Sequence, residues 1–445
     1  MVTTAVRGAR SAATVSALVV SIAVGSAFGC GHNMTSDMSD VADAGSIEGA
    51  TITITTYRDA LPQNTTLVAF RDGDGGWQVL TGHDGVYVAQ ALAEQYSVVT
   101  ACAQTTNGQE VSQIGVYYQG ANDPTEIHAP GCSAFLGPSV HVLVDLQGIT
   151  SPGQYINVVA GNQQTVVVAD FAEFTIPRGL RADVLAELGT TNVVRFPTLS
   201  GLHDESLTGD LAAGGSQTER HGVTVVGSPT DPPPPYVLEW EGIDSFYWTP
   251  NLQMEWDMGS VASLQYITLP VAMRQPQDVA DIRATVTENR GGIEYAERSV
   301  QLAIQPGAEP VLTLPDPMEL GAAGFDPATH RLSASLHITP PTLRTADYTV
   351  DGMSNTDAAG VLQRWTLHLG GGWIAKQPYS VITNEKYLTV LAPDLTDIPG
   401  WNDLKFPTST GALLIPRIER VEHDDPMDAA PIVGRRVLRN AEWWN

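Results

Sequence analysis

Apolar and polar residues alternate with a period of two along much of the chain. Residues 51–55 (TITIT) alternate strictly, and the same character continues through 66–70 (TLVAF), 85–88 (GVYV) and 96–101 (YSVVTA). Successive side chains of a β-strand lie on opposite faces, so this period indicates strands with a buried face. This part of the chain therefore predicts β-structure.

The rest of the chain repeats the pattern in short segments rich in Val, Ile, Thr and Tyr. Further strands are predicted at 140–146, 165–168, 223–226, 264–268, 284–287, 299–304, 331–339, 365–369 and 388–391. Helical periodicity is confined to one short candidate, 181–188, which follows Pro177 and ends at Gly189. Many short strands at such spacing predict an all-β chain made of several serial antiparallel β-sandwich domains.

The clearest boundary in the chain is the proline-rich segment 227–235 (GSPTDPPPP). Consecutive prolines cannot donate to a β-ladder and favour a stiff polyproline linker. Cutting at this linker and at two weaker Pro- and Gly-rich points predicts β-sandwiches at 47–137, 138–226 and 236–320. A C-terminal β domain is predicted at 321–445. These units have the size of immunoglobulin-like sandwiches.

The N-terminus has the pattern of a targeting segment. Two arginines precede an apolar stretch, 12–24, that is too short to span a bilayer, and small residues lead to 27–30 (AFGC). Residues 27–30 resemble the lipobox of bacterial lipoproteins, in which cleavage falls before a cysteine that carries the lipid. The resemblance implies a signal peptide at 1–29 and lipidation of Cys30.

The residues after the lipobox bear on location. Gly31 stands where lipoproteins of the inner membrane usually carry Asp, so the resemblance implies a lipid-anchored protein of the outer membrane or surface of a bacterium. Residues 30–46 are polar, small and unpatterned after the cysteine, which predicts a flexible tether. No later apolar stretch is long enough for a transmembrane helix. Ordinary secretion with Cys30 left as a free thiol is the alternative.

The two remaining cysteines, Cys102 and Cys132, are predicted to form a disulfide. They are the only intramolecular pair left once Cys30 carries lipid, and disulfides persist outside the cytosol. Closing this loop would contribute about 3–4 kcal/mol in the chain-entropy model. Two buried free thiols are the alternative.

Two stretches resemble known β-structures. The block 66–102 contains a DGDG turn, Trp77 and a Tyr-rich strand that ends in Cys102. It resembles a motif of uncharacterised bacterial surface lipoproteins. The stretch 155–185 is similar to the regulatory β-sandwiches of the carboxypeptidase/transthyretin type. Both resemblances imply sandwich domains, and neither brings a catalytic residue.

Composition narrows the classes of function. The chain of 445 residues is 43% hydrophobic and carries 49 acidic against 23 basic residues, for a formal net charge of −26. The apolar content suffices for real cores, whereas the acidity excludes a nucleic-acid binder because so few cations cannot neutralise a run of phosphates. Three residues are lysines: Lys376, Lys386 and Lys405. The acidity indicates a well-solvated, exposed body.

The turn region 72–85 raises the question of calcium. Asp72, Asp74 and Asp84 are carboxylates on Gly-containing turns, and calcium binds six to eight oxygens of this kind. However, no Glu completes an EF-hand loop. Asp-Gly pairs are also the preferred residues of β-hairpin turns, which need a positive φ. The turn interpretation is therefore preferred, with calcium kept as an alternative and no other cofactor predicted.

An aromatic cluster between 240 and 256 is the sequence's candidate ligand platform. Trp240, Tyr247, Trp248 and Trp256 lie among several carboxylates. Sugars stack on aromatic faces while carboxylates accept hydrogen bonds from sugar hydroxyl groups, so the cluster fits a carbohydrate site. Packing of the rings in a sandwich core is the preferred alternative, because large aromatic side chains dominate cores.

The catalytic motifs HExxH, GxSxG, Walker A and GxGxxG are missing from the chain. We therefore predict a non-catalytic, lipid-anchored surface protein that presents β-sandwiches for binding or structural purposes. Its predicted partners are the membrane, through the anchor, and a polysaccharide or a surface protein. A secreted carbohydrate-active hydrolase with dispersed carboxylates, which leave no local motif, and a calcium-stabilised spacer are the alternatives.

Overall fold

The computed structural model describes a body of β-sheets and short connections. The described residues are 49–56, 67–83, 85–106, 109–129, 138–147, 155–160, 163–167, 170–179, 181–188, 192–211, 216–227, 236–249, 252–257, 264–290, 293–326, 329, 331–356, 361–401, 416–424 and 435–443. Within them, no helix has the length and apolarity needed to cross a bilayer.

The strands are numbered in chain order. Those of the first half are β1 (Ala50–Thr56), β2 (Leu67–Asp72), β3 (Gln78–Val79), β4 (Val86–Ala91), β5 (Gln95–Thr106), β6 (Gln109–Gly120), β7 (Glu126–Ala129), β8 (Ser139–Gln147), β9 (Ile156–Ala160), β10 (Gln163–Val167), β11 (Phe171–Pro177), β12 (Val184–Leu188), β13 (Asn192–Arg195), β14 (Glu205–Asp210), β15 (Ser216–Gln217), β16 (Glu219–Gly222) and β17 (Thr224–Val226).

The second half adds longer strands, one 3₁₀ turn at Val271–Met273 and one short helix, α1 (Gly371–Ile374). Its strands are β18 (Tyr236–Thr249), β19 (Leu252–Asp257), β20 (Gln265–Thr268), β21 (Val279–Arg290), β22 (Ile293–Ile304), β23 (Val311–Thr313), β24 (Gly321–Phe325), β25 (Leu332–Ile338), β26 (Thr345–Thr356), β27 (Val361–Leu369), β28 (Ser380–Ile382), β29 (Glu385–Leu391), β30 (Arg417–His423) and β31 (Arg436–Trp443). The all-β prediction is confirmed.

The central element is a twelve-stranded sheet whose strands come from distant parts of the chain. Its order is β19-β18-β21-β22-β31-β30-β26-β27-β6-β5-β2-β3. Neighbours pair antiparallel except at β27 and β6, which run parallel from Leu362 opposite Val111 to Leu369 opposite Tyr118. This parallel pairing joins the N-terminal strands to the C-terminal ones.

Both faces of the sheet are covered where β2, β5 and β6 lie. On one face Val98 and Phe70 pack with Ile52 and Tyr87 of the sheet β4-β1-β7. On the other face the next residue, Val99, packs with residues of the sheet β24-β25-β29-β28 such as Leu336. Adjacent residues of one strand thus enter two different cores, and three sheets form successive layers.

Residues 138–217 form a sandwich with its own core. The sheets β11-β8-β14 and β10-β9-β12-β13-β15 enclose Val142, Val144, Val158 and Phe174. The next strands are not part of this sandwich: β16 pairs with β20, and β17 pairs with β23. The two pairs cover the face of β21 that carries Ile282.

The predicted helix at 181–188 is wrong, because Val184–Leu188 is strand β12. Val184 and Ala186 enter the sandwich core, while Leu185 packs on the other side with Ile267 of β20. A strand buried on both faces has no solvent-exposed positions to alternate with its buried ones, so period two disappears from its sequence.

Hydrogen bonding crosses several of the unit boundaries predicted from sequence. The ranges 47–137, 236–320 and 321–445 all contribute strands to the twelve-stranded sheet. The predicted linker 227–235 begins where β17 ends and stops directly before β18, and its residues 228–235 lie outside the described part of the chain. Three of the four predicted units therefore share one sheet, whereas the described strands of 138–226 belong to other sheets.

Candidate ligand-binding groove

A groove of about 580 Å³ opens between the twelve-stranded sheet and the sheet β24-β25-β29-β28. Its walls come from the end of β25, the connection 339–344, the start of β26, helix α1 and the start of β29. We call this the interlayer groove. Its volume falls in the range of small-molecule sites.

A buried ion pair holds the connection that forms one wall of the interlayer groove. The guanidinium of Arg420 lies 2.6 Å from the Glu422 carboxylate, and both side chains are almost fully buried. Arg420 also donates to the backbone carbonyls of Thr339 and Pro340 at 3.2 Å. Glu422 accepts from the backbone N–H of Thr342 at 2.6 Å. The pair therefore fixes both ends of a short irregular segment.

The floor of the groove is a buried tyrosine. Tyr348 is 2% exposed, and its hydroxyl donates to the carbonyl of His337 at 3.2 Å. Burial raises the pKa of Tyr348, although Arg420, 5.9 Å from its ring centroid, opposes this. The ring stays neutral and supplies an apolar base.

Helix α1 forms the opposite wall of the groove. Two carboxylates hold its first turn in place. Asp123 accepts from the backbone N–H groups of Gly372 at 2.6 Å and Trp373 at 3.0 Å. Asp347 accepts from Gly371 at 2.8 Å. A Cβ at Gly370 would collide with the Asp123 carboxylate, which explains the small residue there. Burial raises the pKa of Asp123, while its backbone donors oppose this rise.

The rim of the groove carries two cations. Arg344 is exposed, and the ammonium of Lys386 lies 5.6 Å from the ring centroid of Tyr379. Neither cation forms an ion pair with any described residue. Glu385 is the single carboxylate of the lining, and it accepts from the Tyr387 hydroxyl at 2.6 Å. This hydrogen bond raises the pKa of Tyr387.

A second, more polar groove of about 350 Å³ lies on the other side of α1. Its lining includes Asp74, Trp373 and Tyr118, whose pKa burial raises to about 12. Lys376 and Glu94 form an exposed ion pair at 3.1 Å across it. Of the four charged residues that line this second groove, Lys376 and Glu94 thus neutralise each other.

Two of the three candidate calcium residues lie at the end of β2 and in the turn that follows it. The Asp72 carboxylate accepts from the backbone N–H groups of Leu92 at 3.1 Å and Ala93 at 2.9 Å, and Gly73 has a φ of 53°. Asp74 lines the second groove, and Asp84 lies outside the described residues. No three His, Cys, Asp or Glu side chains of the described residues converge as metal ligands do. Calcium binding stays untested.

The aromatic cluster lies on two strands joined as a hairpin, β18 and β19. In the backbone register, Trp240 is opposite Val286 and Tyr247 is opposite Ala280, and both partners belong to a buried core. Trp256 is opposite Ser245. Ser245 is two positions from Tyr247 on β18, so these positions belong to the same face of the sheet.

Trp248 differs from the other three aromatic residues of the cluster in its position in the sheet. It is opposite Val279 in the register, and a bulge lies between Trp240 and Gly242. Its position therefore belongs to the other face of the sheet. The spacing of eight in sequence does not place Trp240, Trp248 and Trp256 on one face.

Among the cysteines, only Cys102 belongs to the described residues. It lies on β5, is 2% exposed and is disulfide-bonded. Cys30 and Cys132 lie outside the described residues, so lipidation and the Cys102–Cys132 pairing stay predictions.

Sequence reasoning missed the residues of the interlayer groove. His337, Arg344, Tyr379 and Lys386 come from separate elements and share no local motif. The available signals were the glycine run 370–372 and the concentration of rare lysines nearby.

Comparison with protein-family models found no match, and neither did comparison with curated protein sequences.

Proposed function

We propose that this chain is a non-catalytic, lipid-anchored surface protein whose layered β-body binds a ligand. The interlayer groove carries the binding half of the proposal, because it combines a concave, mainly apolar interior with two rim cations that have no carboxylate partner among the described residues. Such a combination is typical of binding sites. The lipobox resemblance at residues 27–30 supports the anchor.

The chemistry of the groove favours binding over glycoside hydrolysis. Hydrolysis of a glycosidic bond ordinarily needs two carboxylates about 5–10 Å apart. Within the described lining, Glu385 is the single carboxylate, and it is hydrogen-bonded to Tyr387. A general acid and base pair is therefore not assembled from these lining residues.

The anchor is tested by fractionating cells that express the full-length chain. Wild type should sediment with membranes, and Cys30→Ser should move to the soluble fraction because the cysteine predicted to carry the lipid is gone. Ser46→Ala, at the end of the predicted tether, is the matched control and should stay with the membrane. Membrane association of Cys30→Ser would refute the lipid anchor.

The absence of catalysis is tested by recovering candidate ligands after incubation with the protein. The purified full-length protein is incubated with cell-wall polysaccharides, acidic peptides and small carboxylates, and each is recovered for mass spectrometry. We expect retention without chemical change. Turnover of any of them would replace the binding role by an enzymatic one.

A further inference from the structure

We infer that the interlayer groove binds a carboxylate-bearing amphiphile, with its apolar body between the sheet layers and its carboxylate between Arg344 and Lys386. This deepens the proposed function and rests on its binding half alone. The recognition has three parts: unused positive charge, an apolar interior and walls that are already in place.

The unused charge is the first part. Acidic residues outnumber basic ones 49 to 23, and many described arginines have carboxylate partners, as Arg195 has in Asp278 at 2.7 Å. Arg344 and Lys386 have none among the described residues. Two unpaired cations on different walls of one groove in so acidic a chain point to an anionic ligand.

Lys386 is also held in position. Its ammonium lies over the ring of Tyr379 at 5.6 Å, and the Tyr379 hydroxyl donates to the carbonyl of Ile374 at 2.5 Å. The neighbouring carboxylate, Glu385, is engaged by Tyr387. The cation is thus oriented by an aromatic ring and left available to an incoming anion.

The apolar interior is the second part. Ile338, Pro340, Ala346, Ile374 and Ala375 all line the groove. These side chains offer no hydrogen bonds to the hydroxyl groups of a sugar. Against these five side chains an acidic polysaccharide would lose hydration without compensation, whereas an alkyl or aryl body would gain from burial. The uncharged polar residues of the same lining include His337, Thr339, Thr345, Tyr379 and Asn384.

Preformed walls are the third part. Arg420 and Glu422 hold the connection 339–344, and Asp123 and Asp347 hold the first turn of α1. A ligand entering between these walls orders little of the protein, so less of its interaction energy is lost to conformational entropy.

The inference is tested by calorimetric titration of the purified full-length protein with sodium octanoate, 1-octanol and sodium acetate. Octanoate should bind, and octanol and acetate should each bind at least about tenfold more weakly, because each lacks one half of the recognition. Equal binding of octanol and octanoate would overturn the anionic part. Equal binding of acetate and octanoate would overturn the apolar part.

Variants locate the site. Arg344→Gln and Lys386→Gln should each weaken octanoate binding by about tenfold, and Ala375→Phe should abolish it by filling the groove. Arg178→Gln, on an exposed turn of another sandwich, should bind as wild type does. Unchanged binding by the first three variants, with unchanged unfolding midpoints, would contradict the assignment.

The two proposals fail in different ways. If an oligouronate or an acidic peptide binds and octanoate does not, the ligand class is wrong while the binding function stands. If octanoate binds but is recovered chemically altered, the site is right and the non-catalytic function is wrong.

Discussion

His368 is a partly buried side chain whose pKa is set by its surroundings. Its ring stacks on Tyr117 with centroids 4.3 Å apart and planes within 7°. Burial lowers the pKa of His368, with Arg364 acting in the same direction and Asp351, Glu419 and Asp347 opposing. The neutral imidazole is therefore the form that the fold accepts.

We predict that His368→Phe reduces the loss of thermal stability that occurs as the pH falls (the acid limb of the stability profile). A histidine whose pKa is lowered on folding contributes stability that is present above its unfolded pKa of about 6.5. That contribution is lost as the pH falls through the folded pKa. Thermal unfolding between pH 8 and pH 5 should show a smaller loss of midpoint for His368→Phe than for wild type.

The control for this prediction is His203→Asn, which changes an exposed histidine. It should follow the wild-type profile. An acid limb that is as steep in His368→Phe as in wild type would contradict the role given to His368.

Glu419 is a second residue whose surroundings set its charge. It lies between Arg417 at 3.3 Å and Arg439 at 3.2 Å. Burial would raise its pKa, but the two guanidinium groups outweigh burial and hold the pKa below its usual value. Its contribution to stability is present above the unfolded pKa of about 4.3 and is lost as the pH falls through the folded pKa.

We predict that Glu419→Gln lowers the free energy of unfolding at pH 7 by about 1–2 kcal/mol, because two partly buried arginines lose their carboxylate. Urea unfolding measures this. Glu94→Gln, in the exposed pair with Lys376, is the matched control and should change it by less than about 1 kcal/mol. Equal effects of the two substitutions would contradict the prediction.

At the scale of elements, the pair Arg420–Glu422 links strand β30 to the wall of the interlayer groove. Removing one partner leaves a buried charge without compensation, which typically costs about 3–5 kcal/mol. We predict that Glu422→Gln destabilises the protein by an amount at the lower end of that range, since Gln can still accept from Thr342. It should also weaken octanoate binding.

The measurements for Glu422→Gln are urea unfolding and calorimetric titration, with Glu94→Gln as the control. A second variant, Arg420→Met with Glu422→Gln, removes both charges and should recover part of the stability. A double variant less stable than Glu422→Gln alone would show that the lone Arg420 charge is not the cause of the loss.

Elements differ in how much of them the sequence predicts. Strand β1 was predicted because one of its faces is buried and TITIT alternates, whereas β12 was missed because both of its faces are buried. The interlayer groove was not predicted, because Arg344 and Lys386 meet through sheet packing rather than through spacing in sequence.

At the scale of the molecule, a shared sheet replaces a simple row of units. The parallel pairing of β6 with β27 joins residues more than two hundred positions apart. Such pairing leaves no local pattern, since each strand's alternation reports only which of its faces is buried. Composition predicts the cores and alternation predicts the strands, but neither predicts which strands are neighbours.

The interlayer groove exists only where two sheets and α1 meet, so ligand binding depends on how the layers of the whole molecule pack. Hydrogen exchange of the full-length protein, with and without octanoate, tests it most directly. We predict added protection confined to residues 337–346, 371–375 and 385–387, with octanoate recovered unchanged. Protection elsewhere in the described body, or none at octanoate concentrations that calorimetry shows to be saturating, would contradict it.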